Sequence, residues 1–385
     1  MVLIAHITDT HLGYRQYNLE EREKDLYRLF NELINKILTE RPNIVIHTGD
    51  FFDSPRPPND ALLTVYRGLK RLKEARIKVY TIMGDHDIPK RSGSPPHMLF
   101  EELGLIHIIG LDPRNYNNCF KIVNVNGDEV LFAGIRNIPK RARSLLLGIL
   151  ARLDKEANRY RRSILMLHQS IKEHFPFDYE LELKELPKSF TYYALGHIHR
   201  RMLFKLHRGL AGYASSLDII RIDEWDDYVK NGKGFYIIDL SSDEPIVHKV
   251  NLENIRPHVI IEVDYRELDK KISDILSMIT KYSMKPILHL TIRGSNIDKS
   301  RVYRLIHKYI LGKVLTWRPK FEEVREKPIK REEVIEERLD LQELLQQVLG
   351  KPSEVELALA LFNLLSEGDV SKAINIVNEF FEVEK

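Results

Sequence analysis

Short apolar runs alternate with amphipathic stretches over residues 1–110, and this alternation constrains the fold more than any other feature of the chain. The apolar runs predict buried strands at residues 2–8, 43–48, 78–83 and 105–109. Between them, residues 20–40 and 60–75 carry apolar side chains at helical spacing, which predicts two amphipathic helices. Strand followed by helix, repeated, is typical of a layered α/β domain.

Strands dominate the next part of the chain, where one helix is expected near residues 140–160. The predicted strands are residues 120–125, 129–135, 163–167, 192–195, 202–206, 234–240 and 246–250. They suggest a second sheet that packs on the first, with helices on the outer faces. We therefore expect a four-layer αββα domain over residues 1–255.

The pattern starts again near residue 256 and then alternates regularly. The predicted elements are strands at residues 258–265, 286–293 and 313–317, with helices at residues 267–282 and 299–310. A unit of about 60 residues with its own alternation is typical of a small domain. We expect a small α/β cap domain at residues 256–320.

A charged segment and an apolar tail complete the chain. Residues 321–337 (FEEVREKPIKREEVIEE) are nearly all charged and contain Pro328, which predicts a linker. In the helical tail at 338–385, residues 354–365 are apolar almost all round, and a second helix carries a stripe ending at Phe381. Such a pair has little core of its own, so we expect it to dock on a protein partner; packing back on the body is the alternative.

Composition narrows the class of protein. The only cysteine is Cys119, so an intramolecular disulfide and thiolate metal clusters are excluded. Residues 325–385 hold 8 Lys and Arg against 14 Asp and Glu, whereas residues 1–324 hold 51 against 42. A basic body suits a polyanionic substrate, although charged faces are also common on ordinary surfaces.

Without a basic leader or an apolar run of about 18 residues, we expect a cytoplasmic protein with no membrane partner. Abundant charge and few Gln are typical of a thermophile.

Five segments share one design, in which an apolar strand ends in Asp, His and Gly. They contribute Asp9 with His11, Asp50 with Asp53, Asp85 with His86 and Asp87, His168 alone, and His197 with His199. Ligands in open α/β sheets bind beyond the carboxyl ends of strands, so we expect these side chains to converge. Each motif alone is weak evidence, since a histidine at a strand end is more often structural. His6 and His47, which lie within strands, are interpreted as core residues.

These residue types fit a pair of divalent ions. Imidazole and carboxylate suit manganese, iron or zinc. Two ions about 3.5–4 Å apart can hold a phosphate and activate water, so one ligand should bridge them. Asp50, at the corner after Gly49, is the natural bridge. His86 is the candidate catalytic group, which would steady the phosphate or protonate the leaving oxygen.

The order D-x-H, G-D-x-x-D, G-x-H-D, a lone His after a strand and G-H-x-H resembles the calcineurin-like metallophosphoesterases. The segments AHITDTHLGYRQYN, LMLHQS, YYALGHIHRR and NGKGFYIIDL resemble the Mre11–SbcD branch, whose members are double-strand-break-repair nucleases. The likeness spans the whole chain, including the cap and the helical tail.

The resemblance implies a manganese-dependent exonuclease and single-strand endonuclease that acts on DNA ends. By motif, one ion would be held by Asp9, His11, Asp50 and His199, and the other by Asp50, Asp85, His168 and His197. His86 would lie beside the scissile phosphate. The resemblance also implies a homodimer joined through the helices at 20–40 and 60–75, and a tail that binds an SMC-like coiled-coil ATPase of the Rad50 type.

Two positions depart from the family pattern. Asp85 stands where the family usually has Asn, and its extra negative charge should tighten metal binding and weaken the Lewis acidity felt by the substrate. Asp53 stands where many members of this branch have His. If that His assists exonuclease chemistry in the relatives, its replacement puts exonuclease efficiency in question.

Candidate DNA contacts follow the metal motifs. They are Tyr14, Arg15, Arg56, Lys90 and Arg91, with Arg200 and Arg201 as further candidates. Lys and Arg there would neutralise phosphates, and Tyr14 would stack on a base. Ordinary solvated loop charges are the alternative.

The sequence therefore predicts a metal-dependent nuclease that processes DNA ends. Two other functions stay open. One is a phosphatase or cyclic-nucleotide phosphodiesterase with the same chemistry. The other is a DNA-end-binding scaffold whose cleavage is weakened, and Asp85 is the residue that suggests it.

Overall fold

The computed structural model describes residues 1–90, 93–324, 341–349, 351–366 and 369–383. They form two compact units, Met1–Ile292 with Asp298–Phe321, and Arg293–Ile297 with Glu322–Lys385. Within these described ranges, no helix combines the length and the apolar character that crossing a membrane requires.

The first unit begins with an alternating series of strands and helices. In chain order these are β1 (Leu3–Ile7), α1 (Glu20–Glu40), β2 (Ile44–Thr48), α2 (Asn59–Glu74), β3 (Lys78–Ile82), α3 (His97–Glu102), β4 (His107–Ile108), β5 (Phe120–Val125), β6 (Asp128–Ile135), α4 (Arg143–Ala157), β7 (Arg162–His168), β8 (Tyr192–Gly196), β9 (Met202–Leu206), β10 (Gly209–Tyr213), α5 (Trp225–Asn231), β11 (Gly234–Asp239) and β12 (Ile246–Asn251).

These strands form two six-stranded sheets. The first has the order β12-β11-β1-β2-β3-β4, with β1 to β4 parallel. The second has the order β5-β6-β7-β8-β10-β9, with β6, β7, β8 and β10 parallel. Parallel neighbours bring their carboxyl ends to one edge, which is where the motifs stand.

Three apolar clusters fill the spaces between the layers. Leu29 and Phe30 of α1 pack with Leu69 of α2 on the outer face of the first sheet. A second cluster joins α4 to the second sheet, and a third, with Tyr80 and Phe132 stacked at 5.3 Å, fills the space between the sheets. This arrangement confirms the four-layer αββα fold.

Strand β10 was not predicted from the sequence. Its segment GLAGY contains two glycines, which are unfavourable in strands and weaken the apolar pattern. The backbone here runs so close to its neighbour that a Cβ at Gly209 would lie 2.1 Å from the carbonyl oxygen of Thr191. Packing therefore requires glycine at this position, although glycine has a low propensity for β-strands. Helices α3 and α5 are too short for their periodicity to be recognised.

The cap region contains β13 (His258–Asp264), α6 (Leu268–Ile279), β14 (Ile287–Gly294), α7 (Lys299–Tyr309) and β15 (Thr316–Glu323). Its strands form a three-stranded sheet in the order β13-β14-β15. The last strand was expected at residues 313–317, but it continues through residues 321–323, which the sequence assigned to the charged linker. The expectation was wrong because charged side chains such as Arg318 and Lys320 occupy the exposed positions of an alternating strand.

The tail contains three helices, α8 (Leu341–Val348), α9 (Pro352–Ser366) and α10 (Val370–Val383), where the sequence predicted two. Helix α9 packs against both of its neighbours, and Val355 and Ala373 are buried between them. The tail still exposes large apolar side chains, including Phe362 and Ile374 at 56% each. The rest of the expected linker, residues 325–337, lies outside the described residues.

A buried ionic cluster around Asp25 ties α1 to the start of the cap. Its carboxylate oxygens lie 2.7 Å from Arg22 Nη1 and 2.8 Å from Arg256 Nη2. Arg22 also contacts Asp218 at 2.8 Å, and Arg256 donates to the carbonyl oxygen of Lys285. Because Asp25 and Arg22 are buried, the loss of either partner leaves an uncompensated charge out of water.

We predict that Asp25→Ala lowers the free energy of unfolding by about 3–5 kcal/mol, because two buried guanidinium groups lose their carboxylate. Guanidinium denaturation followed by circular dichroism measures the change. The control is Glu20→Ala, which removes a carboxylate paired with Lys24 in solvent and should leave the midpoint unchanged. Equal midpoints for the two variants would contradict a stabilising role for the cluster.

Candidate metal centre

Five strand ends from both sheets meet at one place. The first sheet contributes Asp9 and His11 after β1, Asp50 after β2 and Asp85 after β3; the second contributes His168 at the end of β7 and His197 and His199 after β8. The side chains that the sequence singled out as ligands are therefore brought together by the packing of one sheet on the other.

One group of possible ligands contains Asp50, Asp85, His168 and His197, whose ligand atoms all lie within 4.8 Å of one another. His168 Nε2 is 3.3 Å from Asp50 Oδ2 and 3.2 Å from Asp85 Oδ1. His197 Nδ1 is 3.1 Å from the same oxygen of Asp85. Two imidazoles and two carboxylates thus face a common point.

A second group contains Asp9, His11 and His199. The Nε2 atoms of His11 and His199 are 3.1 Å apart, and Asp9 Oδ1 is 4.0 Å from the first and 3.9 Å from the second. Asp50 Oδ2 is 3.6 Å from His11 Nε2. Because this oxygen also faces His168, Asp50 lies between the two groups, where a bridging ligand belongs.

The buried polar atoms of this centre fit divalent ions. Asp85 Oδ1 and His168 Nε2 are buried and make no hydrogen bond among the described residues. Buried polar atoms normally have partners, and these two face inward, toward the other ligands. Imidazole nitrogen and carboxylate oxygen together suit borderline ions such as manganese, iron and zinc.

The backbone at the ligand positions is strained. Asp9, His11, Asp50 and His197 all have positive φ, at 48°, 43°, 54° and 86°. Such conformations are unfavourable for residues other than glycine and persist where the surrounding structure enforces them. They aim the side chains of successive strand ends inward.

Two glycines allow the loops to approach one another. A Cβ at Gly49, whose φ is +97°, would lie 2.4 Å from His168 Nδ1, and a Cβ at Gly84 would lie 2.0 Å from Asp50 Oδ1. Any larger residue at these positions would displace a candidate ligand.

Asp87 holds the loops that carry Asp50 and Asp85. Its buried carboxylate accepts hydrogen bonds from the main-chain N–H groups of Phe51, Phe52 and Gly84, at 3.3, 3.1 and 3.0 Å. Asp87 belongs to the G-x-H-D motif, but the motif by itself assigns it no role. The motif itself was the available signal, but only the fold shows that its last carboxylate faces backbone rather than metal.

Two candidate ligands, His168 and His199, are oriented by a hydrogen bond at Nδ1, the ring nitrogen that faces away from the centre. His168 Nδ1 is 2.7 Å from the carbonyl oxygen of Thr48, and His199 Nδ1 is 2.9 Å from Glu224 Oε1. An imidazole that donates through Nδ1 presents the lone pair of Nε2 to a metal. Glu224 was missed because no short motif connects it to His199.

Charges within the centre shift one another strongly. Burial alone would lower the pKa of His11, but Asp53, Asp50 and Asp9 raise it to about 9. Burial also opposes a charged His168, yet Asp50 and other carboxylates raise its pKa well above the ordinary value. Conversely, burial would raise the pKa of Asp50, and His168 and His11 hold it below its usual range. In the metal-free centre, these carboxylates therefore favour the protonated forms of His11 and His168.

His86 lies at the mouth of the centre, with 43% of its side chain exposed. Its Nδ1 is 2.8 Å from the carbonyl oxygen of Asp53, and its ring is 4.9 Å from the ring of His11. If Nδ1 donates to that carbonyl, Nε2 is available to a bound substrate.

The candidate DNA contacts differ in their surroundings. Tyr14 is half-buried and packs on the core, Arg15 pairs with Glu23, and Arg56 and Lys90 are exposed. Arg91 lies outside the described residues. Arg200 is partly exposed beside Asp223.

Arg201 is not available to DNA, so its prediction as a DNA contact was wrong. Its side chain is buried and donates to the carbonyl oxygens of Phe235 and Val250 at 2.7 and 2.8 Å. A guanidinium that satisfies main-chain carbonyls inside the fold has a structural role.

The two strand histidines are core residues, as predicted. His6 is buried between the hydroxyls of Tyr192 and Thr48, each 3.0 Å away, and burial lowers its pKa to about 3. His47 stacks on Phe51 at 4.1 Å.

Comparison with known proteins agrees with this geometry. Residues 2–201 match the family described as Calcineurin-like phosphoesterase. The chain is 39% identical over 289 residues to the DNA double-strand break repair protein Mre11 of Methanocaldococcus jannaschii, covering 74% of this chain and 75% of that protein. It is 40% identical over 312 residues to the Mre11 protein of Saccharolobus solfataricus, covering 79% and 78%. For Thermoplasma acidophilum Mre11 the identity is 34% over 357 residues, with 92% of each protein covered. The chain therefore belongs to the calcineurin-like phosphoesterase family and, within it, to the Mre11 branch.

Proposed function

We propose that this protein is a two-metal DNA exonuclease and single-strand endonuclease that processes DNA ends in double-strand-break repair. Its family makes it a metal-dependent phosphodiesterase, and its relatives are named as double-strand break repair proteins. The observation that carries the proposal is the carboxylate of Asp50, which lies between two groups of inward-facing ligands with His86 beside them.

Each ion would have four protein ligands. Asp9, His11, Asp50 and His199 would hold one, and Asp50, Asp85, His168 and His197 the other. The family and the clustered ligands indicate divalent metals, and we propose manganese. Bound ions would activate water and offset the charge that develops on the phosphoryl oxygens.

The chain's own residues would hold and protonate the substrate. In its imidazolium form, His86 would donate from Nε2 to the leaving oxygen or to a phosphoryl oxygen, while its Nδ1–H donates to the carbonyl oxygen of Asp53. Asp53 keeps that carbonyl in place through the main-chain bond from its own N–H to the carbonyl oxygen of Leu12.

Exposed cations near the centre would bind the DNA backbone. Arg56 follows Asp53 in the loop after β2, and Lys90 follows the His86 motif. Such contacts neutralise phosphates without reading sequence, as processing of arbitrary ends requires. Arg15 and Tyr14 are proposed for the same role.

We propose a homodimer formed through α2 and α3. The sequence pointed to α1 and α2, but the apolar face of α1 is buried within its own unit. Helix α2 instead exposes Leu63 and Tyr66, and Leu99 of α3 is 52% exposed. Exposed apolar side chains on surface helices are typical of a subunit interface.

The tail helices are proposed to bind an SMC-like coiled-coil ATPase of the Rad50 type. They pack on one another but leave Phe362, Leu365 and Ile374 more than half exposed. Exposed apolar side chains on amphipathic helices are the usual surface for docking a partner helix.

We predict that His86→Ala reduces cleavage of linear duplex and hairpin DNA in manganese by about 10²–10⁴-fold, because it removes a group that transfers or positions a proton in the transition state. Gel-based cleavage under single-turnover conditions measures the rate. His248→Ala is the matched control, since His248 is exposed on the edge strand β12.

The same assays separate the alternatives. Equal cleavage by the wild type and His86→Ala would contradict the role of His86. A wild type that cuts no DNA, even with its ATPase partner, would favour the end-binding scaffold. Release of phosphate from phosphopeptides without DNA cleavage would favour a phosphatase.

Asp85→Asn should weaken manganese binding at the site containing His168 and His197 by roughly tenfold, because affinity depends on the number of charged ligands. The rate at saturating manganese should be equal or higher, since a neutral ligand leaves the ion more electrophilic. Isothermal titration calorimetry measures the affinity, with Asp243→Asn as the control for loss of an exposed carboxylate. Unchanged or tighter binding would overturn this interpretation of Asp85.

Manganese binding should release protons at pH 7.5. The raised pKa values mean that His11 and His168 are protonated in the metal-free protein, whereas a metal ligand must be neutral. Affinity should therefore increase with pH up to about 9. In the metal-free protein, the contribution of His11 to stability is fully present below about pH 6.5 and is lost as the pH rises toward 9.

Calorimetry in PIPES, HEPES and Tris, whose ionisation enthalpies differ, gives the number of protons released. His11→Asn should release fewer protons than the wild type. Identical apparent enthalpies in the three buffers would contradict the prediction.

A further inference from the structure

A buried ion pair lies directly behind one candidate ligand. Lys233 and Glu224 have side-chain exposures of 0% and 4%, and Lys233 Nζ is 2.6 Å from Glu224 Oε2. The other carboxylate oxygen, Oε1, is 2.9 Å from His199 Nδ1. The pair therefore ends on a histidine of the metal centre.

Lys233 contacts the same ligand a second time. Its Nζ donates to the carbonyl oxygen of His199 at 2.8 Å and to Ser216 Oγ at 2.7 Å. The ammonium thus has three acceptors, and Glu224 also accepts the main-chain N–H of Arg221 at 3.0 Å. Both the ring and the backbone of His199 are held by one cluster.

Stability alone does not account for such a pair. Removing two charges from water costs several kcal/mol per ion, and a buried ion pair can often be replaced by apolar residues without loss of stability. The cluster is also directional, because Glu224 uses one oxygen for Lys233 and the other for the ring nitrogen that faces away from the centre.

We propose that Glu224 and Lys233 form a positioning pair for His199. Glu224 accepts a hydrogen bond from Nδ1–H, which fixes the tautomer that leaves Nε2 as the metal ligand, and Lys233 holds the carboxylate in that orientation. The 3.1 Å separation of His199 Nε2 and His11 Nε2 fits this assignment, since both nitrogens then face one ion. The inference rests on the proposed two-metal function and deepens it.

The pair should act on one of the two ions. His168, in the other group, is oriented by the neutral carbonyl of Thr48 instead of a carboxylate. His197 faces Asp85 through its own Nδ1. Among the described residues, Glu224 and Lys233 contact the candidate ligands only at His199. Their loss should therefore weaken only the site of Asp9, His11 and His199.

The test is manganese binding to the full chain by isothermal titration calorimetry, with electron paramagnetic resonance of free manganese as a second readout. The variant Glu224→Gln with Lys233→Met removes both charges, keeps side-chain size and leaves the net charge unchanged. His199→Ala identifies which binding phase belongs to this site. Arg162→Met with Asp128→Asn is the control, because it neutralises an ion pair at the start of β7, the opposite end of that strand from the candidate ligand His168.

We expect the Glu224→Gln, Lys233→Met variant to lose about 10- to 100-fold in affinity in the phase that His199→Ala removes, with the other phase unchanged. The control should bind both ions as the wild type does. Wild-type affinity in both phases, or an equal loss in both, would overturn the proposal and leave the two-metal function standing. A wild type that binds fewer than two ions would overturn the two-metal function, and the positioning role with it.

Discussion

The carboxylate of Asp50 is the point on which the arrangement of this protein depends. It lies 3.6 Å from His11, a residue of the first sheet, and 3.3 Å from His168, a residue of the second. A carboxylate can face both histidines only when the carboxyl ends of the two sheets meet. The packing of Tyr80, Phe132 and their neighbours between the sheets is thus a condition for the centre to exist.

Holding that centre requires conformations and charges that a stable fold would otherwise avoid. Four ligand positions have positive φ, and buried polar atoms such as Asp85 Oδ1 and His168 Nε2 make no hydrogen bond among the described residues. The surrounding structure holds these loops in place. Asp87 accepts hydrogen bonds from three main-chain N–H groups, and glycines stand where no Cβ fits. Strain of this kind is concentrated at functional sites because chemistry, and not stability, selects it.

The two compact units differ in how they bury apolar surface. The first unit buries its apolar side chains in three large clusters. The described tail helices bury Val355 and Ala373 but leave larger side chains in solvent. The first unit therefore has an extensive core of its own, whereas the described tail helices bury little apolar surface.

The amino-acid sequence by itself determined the strand and helix alternation, the four-layer fold, the family and the residues of the five motifs. These are local signals, because periodicity and short motifs are written in consecutive residues. Strand β10 and the full length of β15 were not predicted from the sequence. In β10, the glycines that a close backbone contact requires are unfavourable for a strand; in β15, charged residues on the exposed face interrupt the apolar pattern. The tertiary structure alone decided which motif residues face one another, that Asp87 binds backbone, and that Arg201 is buried. It also brought Glu224 and Lys233 behind His199, since contacts between residues 25 to 34 positions apart follow from chain packing and leave no local pattern.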